Sequence, residues 1–114
     1  MRLGRKGEEI ALRFLRKNGY KIVDRNYRTP IGEIDIIAKD EDTLVFIEVK
    51  TREGRGYGQP FEAVDKRKRQ KIADVASLYL KRFRDIPPCR FDVVSISYKD
   101  GKPQFQLFKD AFEV

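Results

Sequence analysis

The sequence has no histidine and a single cysteine, Cys89. Without histidine, a Ser-His-Asp triad, a histidine general base and a histidine-containing zinc site are all excluded. One cysteine can form neither an internal disulfide nor a cysteine-rich zinc site, and a lone thiol is typical of a reducing cytoplasm, where we expect the protein to work. Any catalysis must therefore use carboxylates, Lys, Arg, Tyr, Ser, Thr or a bound metal.

Long apolar runs are also missing. No segment approaches the roughly 20 apolar residues that a membrane-spanning helix needs, and the charged residues 1–17 lack the apolar core of a signal peptide. We therefore expect no membrane partner. The length predicts one domain over residues 1–114. The net charge of +7 favours a polyanionic partner, nucleic acid first, although a basic surface also serves solubility alone.

Periodicity and turn residues predict an alternation of helices and strands. The predicted segments are a helix over 4–18, strands over 20–28, 33–39 and 44–51, a helix over 60–84, and strands over 90–98 and 104–108. This order predicts an α/β domain with a central mixed β-sheet of about five strands flanked by helices.

The hairpin of the second and third strands brings charged residues together. A turn of two or four residues would place Asp35 opposite Glu48 and Glu33 opposite Lys50. Because side chains alternate along a strand, all four then share one face of the sheet. The intervening apolar residues should point to the opposite face: Ile34, Ile36, Val45, Ile47 and Val49. A three-residue turn would shift the register and remove the opposition.

Two carboxylates opposed within apolar strands are costly. Lys50 neutralises part of their charge, and a hard divalent cation, Mg²⁺ or Mn²⁺, would satisfy the rest. Such a metal supports phosphodiester hydrolysis, in which Lys50 would orient the attacking water or stabilise charge on the phosphate. The alternative is a half-exposed charged face with a simple Glu33–Lys50 cross-strand pair.

A further acid lies on the first helix. Glu8 is at the edge of the apolar stripe, from which it could reach the sheet, whereas Glu9 lies nearly opposite the stripe. The alternative is that both acids simply interact favourably with the dipole at the start of the helix.

Residues 32–38 (GEIDIIA) and 45–52 (VFIEVKTR) closely resemble the YraN-like family of uncharacterised bacterial proteins. The resemblance extends over nearly the whole chain, through Gly7-Glu8, Gly19-Tyr20, residues 26–28, 68–73 and 90–94. That family is similar to the PD-(D/E)XK nuclease superfamily, with archaeal Holliday-junction resolvases among its closer relatives. The resemblance implies a restriction-endonuclease-like fold.

The same resemblance implies roles for individual residues. Asp35 matches the metal-binding Asp of the superfamily, the segment from Glu48 to Lys50 matches its E-x-K pair, and Glu8 matches an acid that resolvase-like members often carry on the first helix. The implied catalytic residues are Asp35, Glu48, Lys50 and Glu8, with Asp35, Glu48 and Glu8 as metal ligands and Glu33 as an outer-shell residue. Resolvase-like relatives often act as two-fold dimers, which makes a homodimer an expectation.

Two features depart from the superfamily pattern. The residues Gly32-Glu33-Ile34-Asp35 replace a Pro-Asp step, which matters little to the metal site. The Gln-x-x-x-Tyr motif of some nuclease branches is absent, because Gln70 is followed four positions later by Asp74. The second departure leaves substrate handling open.

The densest basic run begins at Lys66 and ends at Lys71. Its side chains should spread around the second helix and contact nucleic-acid phosphates, which gives affinity without sequence information. The residues expected to bind nucleic acid are Arg52, Arg55, Lys66, Arg67, Lys68, Arg69 and Lys71. The alternative is an ordinary solvated helix turn.

Three hypotheses follow for function. The first is a Mg²⁺- or Mn²⁺-dependent endonuclease acting on DNA, with branched or otherwise non-canonical DNA as candidate substrates. The second is a non-catalytic nucleic-acid-binding module that retains the fold and the basic surface. The third is a structural or interaction protein in which the acidic cluster is a relic.

Overall fold

The computed structural model describes residues 5–51 and 66–113. These parts of the chain form two helices and five strands. The elements are α1 (Arg5–Lys17), β1 (Lys21–Thr29), β2 (Gly32–Asp40), β3 (Thr43–Thr51), α2 (Lys66–Leu80), β4 (Cys89–Lys99) and β5 (Lys102–Phe108).

The five strands form one mixed sheet in the order of the sequence, β1-β2-β3-β4-β5. The pairs β1–β2, β2–β3 and β4–β5 are antiparallel, whereas β3 and β4 are parallel. A parallel pair needs a long crossover, and α2 lies in the connection that supplies it. The predicted α/β architecture is confirmed, and it is consistent with the restriction-endonuclease-like fold.

The helices pack against two apolar clusters that lie on opposite faces of the sheet. The first cluster joins α1 to the sheet and contains Ala11, Leu12, Leu15, Tyr20, Ile36, Ala38, Val45, Ile47, Val49, Val94 and Ile96. The second joins α2 to the sheet and contains Ile34, Ile37, Leu44, Phe46, Ile72, Val75, Ala76, Tyr79, Val93 and Phe112. Both faces of the central strands are therefore covered, which explains their nearly continuous apolar sequence.

The hairpin between β2 and β3 turns over two residues, Glu41 and Asp42. Glu41 adopts a left-handed φ of 56°, and Asp40 pairs with Thr43 directly beyond the turn. Pairing continues in the same register to Ile36 and Ile47. The predicted register is thus confirmed over this stretch, and the three-residue turn that would have shifted it is excluded.

Two structural expectations were wrong. The second helix does not continue to residue 84: it ends at Leu80, after which the amides of Lys81, Arg82 and Phe83 donate to carbonyls three residues back. Residues 60–65, where its start was predicted, lie outside the described residues. Ile34 does not share a cluster with Ile36 but packs in the α2 cluster.

None of the helices within residues 5–51 and 66–113 is long and apolar enough to cross a membrane.

Gly32 is the first residue of β2 and lies directly under α2. Its φ is +153°, and a Cβ added there would lie 3.3 Å from Val75 Cγ2. We expect Gly32→Ala to lower the free energy of unfolding by about 1–3 kcal/mol, because it combines backbone strain with a close contact. Urea denaturation measures this change.

Gly7→Ala is the matched control for Gly32→Ala. A Cβ added to Gly7 in α1 would have no atom within 4 Å, so alanine should stabilise the helix by about 0.5–1 kcal/mol. The two substitutions should therefore shift the urea midpoint in opposite directions. Equal shifts of the urea midpoint would contradict the expected strain and close contact with Val75 at Gly32.

Candidate active site

Strand β3 is paired differently on its two sides. Its pairing with β4 continues from Leu44 to Thr51, whereas its pairing with β2 stops at Ile47. The end of β3 that carries Glu48 and Lys50 is therefore held by β4 and open toward β2. The predicted facing pairs Asp35–Glu48 and Glu33–Lys50 are not formed in the sheet ladder, which corrects that part of the hairpin prediction.

Asp35 occupies the opening between the two strands. Its Oδ2 accepts a hydrogen bond of 2.8 Å from the Val49 amide, where a continued ladder would offer a backbone carbonyl of β2. The residue is only 9% exposed. Burial, followed by the charge of Glu48, raises the pKa of the Asp35 carboxyl to about 7, against smaller lowering effects from the Val49 amide and Lys68.

Glu48 lies between two ammonium groups, with its side chain 11% exposed. Lys50 Nζ, two residues along β3, is 3.7 Å from Glu48 Oε1, and Lys68 Nζ, from α2, is 3.0 Å from the same oxygen. Burial, with Lys68 beside it, lowers the pKa of Lys50. Burial also acts to lower the pKa of Lys68, but its interactions with Lys50, Glu48 and Asp35 outweigh burial and raise it.

A cavity of about 170 Å³ separates this end of the sheet from α2. It is lined by Gly32, Glu33, Asp35, Glu48, Lys68, Lys71, Ile72 and Val75. Because Asp35 and Glu48 are largely buried beneath α2, the alternative of a half-exposed charged sheet face does not describe them. Lys50 does not line the cavity and is linked to it through Glu48.

The donor set of this cavity suits a hard divalent cation. Asp35 and Glu48 provide carboxylate oxygens, the ligands preferred by Mg²⁺ and Mn²⁺. Burial and the charge of Glu48 raise the pKa of the Asp35 carboxyl, so a cation beside this carboxyl would favour its ionised form. Within residues 5–51 and 66–113, no group of three or more potential ligands is gathered. Two carboxylates with room for water match the way in which Mg²⁺ is usually held.

The structure does not bring Glu8 into this cavity. Its carboxylate oxygens each accept a hydrogen bond of 3.0 Å from Asn26 Nδ2, and Arg25 Nε lies 3.4 Å from it. Asn26 is in β1, between the pairs Arg25–Ile36 and Tyr27–Ile34, and has a left-handed φ of 53°. Glu8 thus contacts the strand next to Asp35 rather than Asp35 itself, and this link through Asn26 was not predicted from the sequence.

Glu33 lies at the edge of the cavity. Its side chain is 41% exposed and pairs with Arg28 of β1 at 3.3 Å, so its partner is not Lys50. This location leaves Glu33 beside the two buried carboxylates rather than between them.

The basic run separates into groups around α2. Lys68 and Lys71 line the cavity that contains Asp35, whereas Lys66 and Arg69 line a second cavity with Gln70 and Glu113. Arg67 is exposed. The collar predicted from the sequence is therefore present, and one part of it faces the carboxylates. Arg52 and Arg55 lie outside the described residues.

Gln70, the residue that begins the incomplete Gln-x-x-x-Tyr pattern, is exposed. Its side-chain Nε2 donates a hydrogen bond of 3.1 Å to Asp74 one helical turn along. Gln70 lines the second cavity and not the one that contains Asp35. Gln70 thus makes an ordinary surface contact.

A second buried ionic group, centred on Asp92, was also missed. Asp92 is 0% exposed and accepts hydrogen bonds from Tyr20 Oη (2.6 Å), Arg90 Nε and Nη2 (2.9 and 3.0 Å) and the Asp110 amide (2.9 Å). Arg90 Nη2 also donates to Asp40 at 2.9 Å, which holds the pKa of that carboxyl below its usual value. The signal was present in the sequence, since Arg90 and Asp92 are two residues apart on one strand face.

The fold and the site define an α/β protein whose sheet opens onto two carboxylates flanked by lysines. The sequence model of the uncharacterised protein family UPF0102 matches residues 7–96, and the chain belongs to this family, the YraN family. The resemblance seen in the sequence is confirmed.

Relatives in the family match along the full chain. A UPF0102 protein from Symbiobacterium thermophilum is 50% identical over 113 residues, covering 97% of this chain and 96% of its own length. Another, from Desulfosudis oleivorans, is 50% identical over 111 residues, covering 96% and 89%. A third, from Syntrophus aciditrophicus, is 45% identical over 115 residues, covering 100% and 91%.

Proposed function

We propose that this protein is a cytoplasmic, metal-dependent endonuclease that hydrolyses phosphodiester bonds in DNA, with branched or otherwise structured DNA as its substrate. The observation that carries the proposal is the placement of Asp35 and Glu48 in one cavity where β2 and β3 part. Two largely buried carboxylates in that position are costly unless a cation joins them. Stability alone does not require such an arrangement.

The residues in and beside the cavity would have different roles in the reaction. Asp35 and Glu48 would hold Mg²⁺ or Mn²⁺, which when bound polarises a phosphodiester and lowers the pKa of water. Lys50, 3.7 Å from Glu48, would orient the attacking water or stabilise negative charge on the phosphate. Glu8 supports the strand beside the site through Asn26, and Glu33 remains a candidate to bind water at its edge.

The basic surface around α2 supports DNA as the substrate. Lys68 and Lys71 face the carboxylates, and Lys66 and Arg69 extend the positive charge to the neighbouring cavity. Cations in these positions would contact backbone phosphates, which positions a duplex without reading its sequence. A structured substrate with two cleavage points would suit a homodimer, in which each copy cuts one strand.

A second function is favoured by one contact. Lys68 already neutralises Glu48 at 3.0 Å, so the acidic cluster has a counter-ion within the protein. A non-catalytic nucleic-acid-binding module would retain this pair together with the basic surface.

We expect the full chain to cleave labelled DNA in the presence of Mn²⁺ and Lys50→Ala to cleave at least about a hundredfold more slowly, because one group that stabilises transition-state charge is lost. The panel contains duplex, single-stranded and four-way DNA, and product is measured on denaturing gels. Binding is measured on the same DNA by fluorescence anisotropy.

Arg28→Ala is the matched control for this assay. It also removes a cation, but Arg28 is exposed, pairs with Glu33 and does not line the cavity that contains Asp35. It should leave the cleavage rate close to that of the wild type. Binding without cleavage on every substrate would replace the enzyme with the nucleic-acid-binding module. Neither binding nor cleavage would favour an interaction protein with a relic acidic cluster.

A further inference from the structure

Lys68 reaches the acidic pair from a different element. Glu48 and Lys50 are on β3, whereas Lys68 comes from α2 across the cavity. Nevertheless, Lys68 Nζ is nearer to Glu48 Oε1, at 3.0 Å, than Lys50 Nζ, at 3.7 Å. Of these two lysines, the one nearer to Glu48 is therefore carried by the helix.

An ammonium group and a divalent cation compete for the same carboxylate oxygen. A metal held by Glu48 and Asp35 would repel an ammonium group 3.0 Å from Glu48 Oε1. Lysine can respond to this repulsion, because its charge is carried on a flexible four-carbon stem. The Lys68 side chain is 38% exposed, so part of it borders solvent.

A second lysine lines the cavity beside Lys68. Lys71 follows Lys68 by one helical turn and lines the same cavity. A phosphate oxygen that enters the cavity to meet the metal would approach these two lysines. Lys68 would then exchange a carboxylate partner for a phosphate partner.

We infer that Lys68 is an exchangeable counter-ion, which holds Glu48 when no metal is bound and moves to a substrate phosphate when a divalent cation takes its place. This inference rests on the proposed metal site. It adds that cation binding and DNA binding are coupled through one side chain. Each should strengthen the other, because both draw Lys68 away from its resting partner.

The test compares Lys68→Met with the wild type and with Lys71→Met. Methionine keeps an unbranched stem and is a good helix former, so both variants should fold. Isothermal titration with Mn²⁺ alone should give an affinity roughly tenfold tighter for Lys68→Met, since the competing ammonium is gone. Lys71 lines the same cavity but makes no ion pair with Glu48 among the described residues, so Lys71→Met should tighten Mn²⁺ binding by much less than Lys68→Met does.

The coupling is measured with a labelled duplex and Ca²⁺. Adding Ca²⁺ should tighten DNA binding by roughly tenfold in the wild type and by much less in Lys68→Met. If Lys68→Met binds Mn²⁺ no more tightly than the wild type, the counter-ion role is overturned while the metal site stands. If no variant binds Mn²⁺, both the metal site and the role of Lys68 are overturned.

Discussion

Asp92→Asn should lower the free energy of unfolding by about 3–5 kcal/mol, because it removes the buried anion of an ion pair and leaves buried donors without an acceptor. The Asp92 carboxylate accepts hydrogen bonds from Tyr20, Arg90 and the Asp110 amide. The residue is 0% exposed. Asparagine would offer one carbonyl oxygen and turn its amide toward groups that also donate. Arg90 would keep Asp40 as its remaining anion.

Urea denaturation at pH 7 measures this loss. Asp42→Asn is the control, because it makes the same chemical change in the exposed turn between β2 and β3, where a change within about 0.5 kcal/mol is expected. An Asp92→Asn protein that unfolds at the same urea concentration as Asp42→Asn would show that the buried group contributes little to stability.

Most of the fold could be predicted because local signals agree with one another. The turn at Glu41 and Asp42 and the alternation of the flanking strands fix the same register, so the pairing of Ile36 with Ile47 follows from the sequence. The strand bounds were accurate to within one or two residues. The end of α2 was missed because residues 81–84 contain no glycine, and the helix ends in a short turn before Pro87.

The composition of the candidate site could be predicted more easily than its shape. Asp35, Glu48 and Lys50 follow from their spacing in one hairpin. The opening between β2 and β3 could not be predicted, because it depends on the Asp35 side chain replacing a backbone acceptor for Val49. Ile34 also lies in the α2 cluster, although simple alternation would place it with Ile36.

Contacts between distant elements were the least accessible from the sequence. Lys68 was expected to contact phosphates, but nothing in its basic run indicates a pair with Glu48, which is supplied by the packing of α2 on the sheet. Glu8 was correctly separated from Glu9 as the more buried acid, with 14% and 50% of their side chains exposed. Its partner, Asn26, depends on a left-handed residue within a strand, which the sequence pattern does not reveal.

Asp35→Asn should stabilise the protein at pH 8 by up to about 4 kcal/mol, the value that corresponds to a rise in carboxyl pKa from 3.8 to about 7. Burial is the main cause of that rise, with the charge of Glu48 second. Asparagine carries no charge, and its carbonyl oxygen can still accept the Val49 hydrogen bond. The substitution therefore removes the cost of an ionised group while keeping its main contact.

The sign of this effect depends on pH. Between the unfolded and folded pKa values of Asp35, the folded state binds the extra proton, so the stability of the wild type falls as pH rises through this range. Asparagine does not titrate, and the advantage of the variant should grow from nearly zero at pH 4 to its full value at pH 8. Comparing the two proteins in urea at each pH removes the contributions of groups that they share.

Mn²⁺ should reduce this advantage at pH 8. A cation that binds the ionised carboxylates stabilises the wild type by about 2.7 kcal/mol at a hundred times its dissociation constant, and it should leave Asp35→Asn nearly unchanged. Glu33→Gln is the control, since it removes an exposed carboxylate at the edge of the same cavity and should alter stability by less than about 0.5 kcal/mol at either pH. The prediction is contradicted if Asp35→Asn gains no stability at pH 8, or gains as much at pH 4. Either result would mean that the charge of Asp35 is already compensated within the protein.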